Sequence, residues 1–539
     1  MPEVTGGEAV VRTLKALGVD TVFGLIGVHA LPIYDALYQH PEIRHIGTRH
    51  EQTAAFMADG YARVTGRPGV CITTTGPGAA NTAAAMGTSW WDSVPVLNMM
   101  SQVPSDMVDR NKGVLHEPKD QLGMFRALTK WNARVTRVED IPSTLQQAFR
   151  TMVAERPRPT QVEVCTDVLN ARGDTESVPW LAEGTAFERP RAEPNLVDEA
   201  AVVLARAERP VVWAGGGVSR SGAWHELVQL AERLQAPVLT TVQGAGAIPY
   251  DHPLALGFRP GDRRITELLE GADALLAVGT KFVARATGDW THRLPRQLIH
   301  VDIDPEEIGK NYPASHGLVG DAREVLRQLL GVVAVPRDRT CWAGDVSAVR
   351  GEIEGRVRER GALEMSLLYE LRDTVERDAI LVWDQTKPAY WAARSFPVLE
   401  PRTFLYPGYG TLGFAFPTAL GAKVGQPERQ VVCVCGDGGF QLALPDLATA
   451  AQFGINVAVL LFNDNAFGIL KDLQDLSWQG HHYAVDLVNP DFARLAELYG
   501  LRGVVLEGPE GLGRALREAL QADRTTVIEV RMEFRRPGA

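Results

Sequence analysis

The chain predicts an α/β protein of three domains with mainly parallel sheets, and three observations carry that expectation. Its 539 residues are too many for a single core and suit about three domains of ordinary size. Short apolar runs alternate with helix-like stretches from one end to the other, the order that sets strands side by side in parallel with helices on both faces. Two stretches of turn and linker character divide that alternation into thirds.

The first third, residues 1–172, sets the apolar runs Thr21-Val22-Phe23-Gly24 and Val70-Cys71-Ile72-Thr73 against helical patterns over 8–17 and 53–64. A loop-like segment with Gly173, Pro179, Gly184, Pro190 and Pro194 follows. The second, 193–336, opens on Pro210-Val211-Val212-Trp213-Ala214-Gly215-Gly216-Gly217 and contains strand-like runs over 274–279 and 298–304, a Rossmann-type layer. Its triple glycine lacks the Gly-x-Gly-x-x-Gly spacing and an evident acidic ribose partner, so a structural turn is preferred to a dinucleotide site. A charged helix-forming linker over 352–360 leads into the third, 362–539.

A net charge of −11 and the lack of any Lys/Arg cluster exclude nucleic-acid binding through a basic face. No run of about 18 apolar residues occurs, and residues 1–20 lack a charged start followed by an apolar stretch, so a cytoplasmic chain with no membrane partner is expected. The cysteines, Cys71, Cys165, Cys341, Cys433 and Cys435, are odd in number and scattered, which suits reduced thiols. Cys433-x-Cys435 lacks a second pair for zinc.

Gly436-Asp437-Gly438 follows the apolar run Val431-Val432-Cys433-Val434-Cys435, and Phe462-Asn463-Asp464-Asn465 closes a second run. Strand, glycine turn, a helix of about ten residues and another strand bring both acids to strand ends of one βαβ unit. Oxygen ligands beside glycines that admit a phosphate are the parts of a hard-cation and diphosphate site. The alternative is an Asx-type loop with two solvated acids. Arg49-His50-Glu51-Gln52 runs into a helix of small residues, where a first-turn carboxylate is also a plain partner of the helix dipole.

Together these segments resemble the thiamine-diphosphate (ThDP) enzymes of the acetolactate synthase-like and benzoylformate decarboxylase group. The likeness spans nearly the whole chain. It continues through Phe23-Gly24-Leu25-Ile26-Gly27, Thr75-Gly76-Pro77-Gly78-Ala79-Ala80-Asn81, Asp92-Ser93-Val94-Pro95-Val96, His252-Pro253-Leu254-Ala255-Leu256-Gly257 and Asp302-Ile303-Asp304-Pro305. It implies pyrimidine-binding, central Rossmann-like and diphosphate-binding domains in that order. It assigns the diphosphate to Gly436, Asp437, Gly438, Gly439, Asp464, Ala466, Phe467 and Gly468, and Mg²⁺ to Asp437, Asp464 and the carbonyl of Ala466. The family usually has Asn where Asp464 stands. Pro77 and Asn81 are implied on the pyrimidine side, where Glu51 bonds N1′ and favours the imino tautomer that yields the C2 ylid. Leu412, in Gly410-Thr411-Leu412-Gly413-Phe414, is the implied wedge that keeps the cofactor bent, and the Gly410 carbonyl takes a hydrogen bond from its exocyclic amine. In the family Glu51 and the diphosphate motif of one site come from different subunits, so a homodimer or homotetramer with interfacial active sites is expected.

The implied chemistry is attack on a small-molecule 2-oxo acid, loss of CO₂, and protonation or carboligation of the enamine. Leu115-His116-Glu117 stands where acetolactate synthases have Phe-Gln-Glu, Lys281-Phe282-Val283-Ala284-Arg285 where they have Arg-Phe-Asp-Asp-Arg, and Leu473 where they have a tryptophan. These departures speak against FAD and against acetolactate formation. The segment from Leu115 to Gln121, with Gly27-Val28-His29, looks more like 5-guanidino-2-oxopentanoate decarboxylase and cyclohexane-1,2-dione hydrolase. His116 first and His29 second are candidates for general acid or base, with hydrogen bonding to loop carbonyls as the alternative. His50 reads as a supporting residue. Thr74 stands where benzoylformate decarboxylase carries a histidine, and Leu470 replaces the second acid of pyruvate decarboxylases, which implies a roomier, less acidic pocket. The expectation is ThDP- and Mg²⁺-dependent non-oxidative decarboxylation, with carboligation alongside. An FAD-independent acetolactate synthase-type carboligase is the alternative, followed by an FAD-dependent oxidase.

Overall fold

A computed structural model of the protein describes residues 4–174, 189–334 and 339–537; Pro179, Gly184 and Pro336 lie outside them. It contains three six-stranded sheets, parallel throughout. The first is built from Thr21–Gly24, Arg44–Gly47, Gly69–Thr73, Val96–Gln102, Trp131–Val135 and Thr160–Cys165, in spatial order 2-1-3-4-6-5. The third, from Ile380–Trp383, Phe404–Leu405, Val431–Gly436, Ala458–Asn463, Arg502–Leu506 and Thr526–Arg531, repeats that order. The middle sheet starts at Pro210–Ala214 and has the order 3-2-1-4-5-6 of a dinucleotide-binding fold. Central strands such as Val431–Gly436 and Ala274–Val278 are covered on both faces, which is why they read as unbroken apolar runs rather than alternating ones.

Ligands in such sheets bind beyond the strand carboxyl ends, where the order reverses. In the first sheet that point lies between the strands Thr21–Gly24 and Gly69–Thr73, so the loops carrying His29 and Gly76-Pro77-Gly78 flank it. In the third it lies between Ile380–Trp383 and Val431–Gly436, flanked by Asp384 to Lys387 and by Gly436 to Gly439.

Two local expectations need correction. The single helix expected after Gly-Asp-Gly is broken into Asp437–Gln441 and Leu447–Phe453, joined by a 3-10 turn at Leu444–Asp446. Pro445 has no N–H to continue the first helix, and it starts the next turn instead. Within the expected loop around 173–194, Gly173 pairs with Val4 in a two-stranded ribbon and Pro194 opens the helix Pro194–Arg206.

The domains meet through a shared apolar core, close backbone contact and buried ionic contacts, among them a cluster at Asp92. Helix Glu51–Thr65 crosses Ala415–Gly425 so closely that a Cβ on Gly60 would lie 2.2 Å from the Thr418 carbonyl oxygen, and one on Gly421 2.0 Å from that of Met57. Arg63 pairs with Asp59 one turn earlier and with Asp92 at 2.8 Å, all three buried. The Asp92 carboxylate also accepts from Gln243 of the middle domain and from the Gly408 N–H of the third, each at 3.1 Å. Asp92→Ala leaves the Arg63 charge half-compensated and the Gly408 N–H without its acceptor, while the Gln243 amide keeps the Tyr406 carbonyl. We expect a loss of about 3–5 kcal/mol, read as a lower denaturation midpoint with an unchanged m-value.

Candidate functional site

Glu51 is the first residue of its helix, and the preceding His50 caps it by accepting from the Gln52 N–H through Nδ1. Glu51 is buried, and one carboxylate oxygen accepts from the Asn81 amide at 2.8 Å. A Cβ on Gly78 would stand 3.2 Å from the other oxygen and 2.7 Å from Thr74 Cγ2, and one on Gly27 would strike Thr74. The absent side chains at Gly27 and Gly78 therefore let these two loops pack closely around Thr74 and the Glu51 carboxylate.

The His116 loop closes over this rim. A Cβ on Gly76 would lie 2.4 Å from the His116 carbonyl oxygen. Gln121 Oε1 accepts from the Gly76 N–H and the Thr75 hydroxyl, at 3.0 and 2.8 Å, while its amide donates to Glu163. The rings of His116 and His29 lie 5.4 Å apart, and the Nδ1 atoms of both are buried without a hydrogen-bond partner. Burial, then the neighbouring His116, hold the His29 imidazole below its ordinary pKa and so favour its neutral form.

On the third sheet, Asp437 begins its helix at the strand end and Asp464 follows the neighbouring strand. Asn489 joins Asp437 to the flanking asparagines: its amide donates to Asp437 Oδ2 at 2.6 Å, to Asn463 at 2.9 Å and to Asn465 at 3.3 Å. Asn489 sits in a patternless loop, so no local signal in the sequence points to it. The chain after Asp464 is fixed by the Phe467 N–H to Val485 and the Leu487 N–H to Asn465, both 2.8 Å. A Cβ at Gly438 would meet the Phe467 ring at 2.5 Å, and one at Gly468 would meet Asp464 at 2.2 Å. Burial raises the Asp437 pKa, and burial followed by the Asp437 charge pushes Asp464 up to about 6. Two desolvated carboxylates facing one cradle are stabilised by a cation.

Gly410 and Gly413 have φ of +87° and +74°, which L side chains rarely adopt, and they turn the chain on either side of Leu412. Buried Asp384 holds that turn by accepting from the Gly413 and Ala415 N–H groups, each at 3.2 Å. Thr411 meets Thr88 of the first domain at 2.8 Å. The structure thus gathers Glu51, Asn81, His29 and His116 on one rim and Asp437, Asp464 and their asparagines on another. Among the described residues no hydrogen bond or ion pair joins the two.

A cleft of about 970 Å³ lies at the reversal point of the middle sheet, and neither Glu51 nor Asp437 lines it. Gly216, Gly217, Arg220 and Lys281 do. A Cβ on Gly215 would stand 2.1 Å from the Gly279 carbonyl oxygen and one on Gly217 2.6 Å from Gly279 Cα, so these glycines serve the close approach of two turns. Burial, then Arg156, push the Lys281 ammonium down to about 8.

Three family profiles match the chain in the order of its sheets. They are the thiamine pyrophosphate enzyme N-terminal TPP binding domain over residues 4–124, the central domain over 197–329 and the C-terminal TPP binding domain over 384–530. The chain belongs to the thiamine pyrophosphate enzymes. Among its relatives in that family are a probable acetolactate synthase large subunit of Methanocaldococcus jannaschii, 36% identical over 97% of this chain and 91% of the relative. A probable 2-ketoarginine decarboxylase of Pseudomonas aeruginosa is 39% identical over 98% and 94%. An acetolactate synthase large subunit of Corynebacterium glutamicum is 35% identical over 98% and 86%. This thiamine pyrophosphate enzyme therefore stands in the acetolactate synthase-like group, as its motifs imply, and has the three parallel α/β domains expected of it.

The residues present fit that cofactor. Glu51 is a buried carboxylate with one oxygen bonded to Asn81, and the glycines at 436, 438, 439 and 468 sit where side chains would crowd their neighbours. Among the described residues no three His, Cys, Asp or Glu side chains stand together as a metal site. The expected Mg²⁺ set needs only two carboxylates and a carbonyl. Among the described residues no helix is long and apolar enough to cross a membrane.

Proposed function

We propose that this enzyme catalyses ThDP- and Mg²⁺-dependent, non-oxidative decarboxylation of a 2-oxo acid, at sites completed by a second copy of the chain. The observation that carries it is Glu51, buried at a helix start, tied to Asn81 and flanked by Gly78, where any side chain would crowd the carboxylate. In this reading Glu51 holds a proton at N1′ of the aminopyrimidine. Asp437, Asp464 and the Ala466 carbonyl hold the metal, Gly436, Gly438, Gly439, Phe467 and Gly468 cradle the diphosphate, Pro77 and Asn81 border the pyrimidine, and Gly410 and Leu412 set its posture. The cofactor supplies the electron sink for CO₂ loss. The paired imidazoles supply and take protons at the substrate carbons, with His116 first and His29 second.

A second copy is supported by the apolar side chains exposed beside each rim. Ile26 and Val28 are 55% and 59% exposed next to His29, and Val488, beside the Leu487 whose N–H bonds Asn465, is 98% exposed. His116→Gln should lower kcat by about 10²–10⁴-fold and leave ThDP affinity unchanged. An unaltered kcat assigns His116 to loop structure.

Acetolactate-forming carboligation is the second reading, favoured by the synthases among the relatives. Incubation with pyruvate and with basic, aromatic and branched 2-oxo acids separates the two, since the first reading expects CO₂ and aldehyde and the second acetolactate from pyruvate. An FAD-dependent oxidase has the middle cleft in its favour. It requires flavin absorbance in the purified protein and O₂ uptake during turnover.

A further inference from the structure

Lys387 is 4% exposed, and it lies at the reversal point of the third sheet, the first residue of the helix Lys387–Ser395. Its ammonium donates to Asp472 at 3.1 Å and stands 3.6 Å from Glu533 and 3.9 Å from Asp464. The stem runs under Gly468, where a Cβ would approach Lys387 Cε to 2.9 Å and Asp464 Oδ2 to 2.2 Å. The preceding Thr386 faces Gly436, whose Cβ would lie 3.0 Å from the threonine hydroxyl. Lys387 is thus built into the wall of the glycine cradle, and its ammonium, hydrogen-bonded to Asp472, also stands within ion-pair distance of one of the two carboxylates there.

A lysine is costly to bury, and it is retained in such a place only where charges balance it. Asp437 and Asp464 together present two negative charges to a cradle whose ligand is itself anionic. A divalent ion offsets part of that charge, and a fixed ammonium beside Asp464 offsets more.

We propose that Lys387 is a positioning residue for the diphosphate anchor: by compensating Asp464 it allows a second carboxylate to face an anionic ligand without repelling it. The proposal rests on the cofactor site given above. Lys387 acts through Asp464 and the turn at Gly468, and Asp472 holds the ammonium in place by accepting its hydrogen bond. The functional unit is therefore a charge pair, and removing one member harms binding more than removing both.

Calorimetric titration of the full-length protein with ThDP in the presence of Mg²⁺ tests this, with thermal melting to show that each variant is folded. Lys387→Met should weaken ThDP binding at least 10-fold. Lys387→Gln, which keeps a hydrogen-bond donor for Asp472, should show the same loss. Adding Asp464→Asn to either should recover most of it, and Lys387→Arg should remain within a few-fold of wild type. Wild-type affinity in both uncharged variants, or a double variant as weak as the lysine variant alone, overturns the proposal. A wild-type protein that binds no ThDP overturns the cofactor site itself and takes this proposal with it.

Discussion

Glu51→Gln should reduce turnover by about 10²–10⁴-fold while ThDP stays bound with an affinity within a few-fold of wild type. The side chain is buried and held by Asn81 alone among the hydrogen bonds described, so the amide variant keeps an oxygen for that bond and the shape of the rim. What it loses is a group that can share a proton with a weakly basic ring nitrogen. Because the change is nearly isosteric, a fall in activity cannot be ascribed to a collapsed pocket. Calorimetric titration and a steady-state assay on the same preparation separate binding from turnover. A variant with full activity excludes Glu51 from cofactor activation.

Asp437→Ala has the opposite signature, loss of binding first and of activity as its consequence. Asp437 is 2% exposed, and its carboxylate takes the Asn489 amide on Oδ2. Removing residues that merely support metal ligands costs about 10–100-fold in affinity, and removal of a direct ligand should exceed that. ThDP titrations with and without added Mg²⁺ should coincide for the variant and differ for wild type. Equal affinity of variant and wild type for ThDP and Mg²⁺ would place the anchor elsewhere.

Much of this fold is legible because covered parallel strands must be continuously apolar. Thr21–Gly24 and Pro210–Ala214 coincide with the runs read from sequence, and the Gly-Asp-Gly turn falls at a strand end as its pattern requires. The helix after Gly-Asp-Gly shows where pattern fails, since apolar spacing continues across Pro445 while the backbone cannot. The candidate site is legible as motifs and illegible as a network. Asn489 reaches Asp437 across 52 positions and Lys387 reaches Asp472 across 85, and neither spacing leaves a local signature. Asp92 belongs to a quoted motif, yet its binding of three domains at once depends on Gln243 and Gly408, which only the folded chain brings together.

The central claim is that a buried glutamate on one rim activates a cofactor anchored on the other. Its most direct test is the rate of hydrogen–deuterium exchange at C2 of bound ThDP, followed by quenched-flow NMR in wild type and in Glu51→Gln. Exchange far faster on the wild-type protein than in free ThDP, and reduced by about 10²-fold or more in the variant, is the predicted result. Equal exchange rates in the two proteins, with ThDP bound to both, would contradict it.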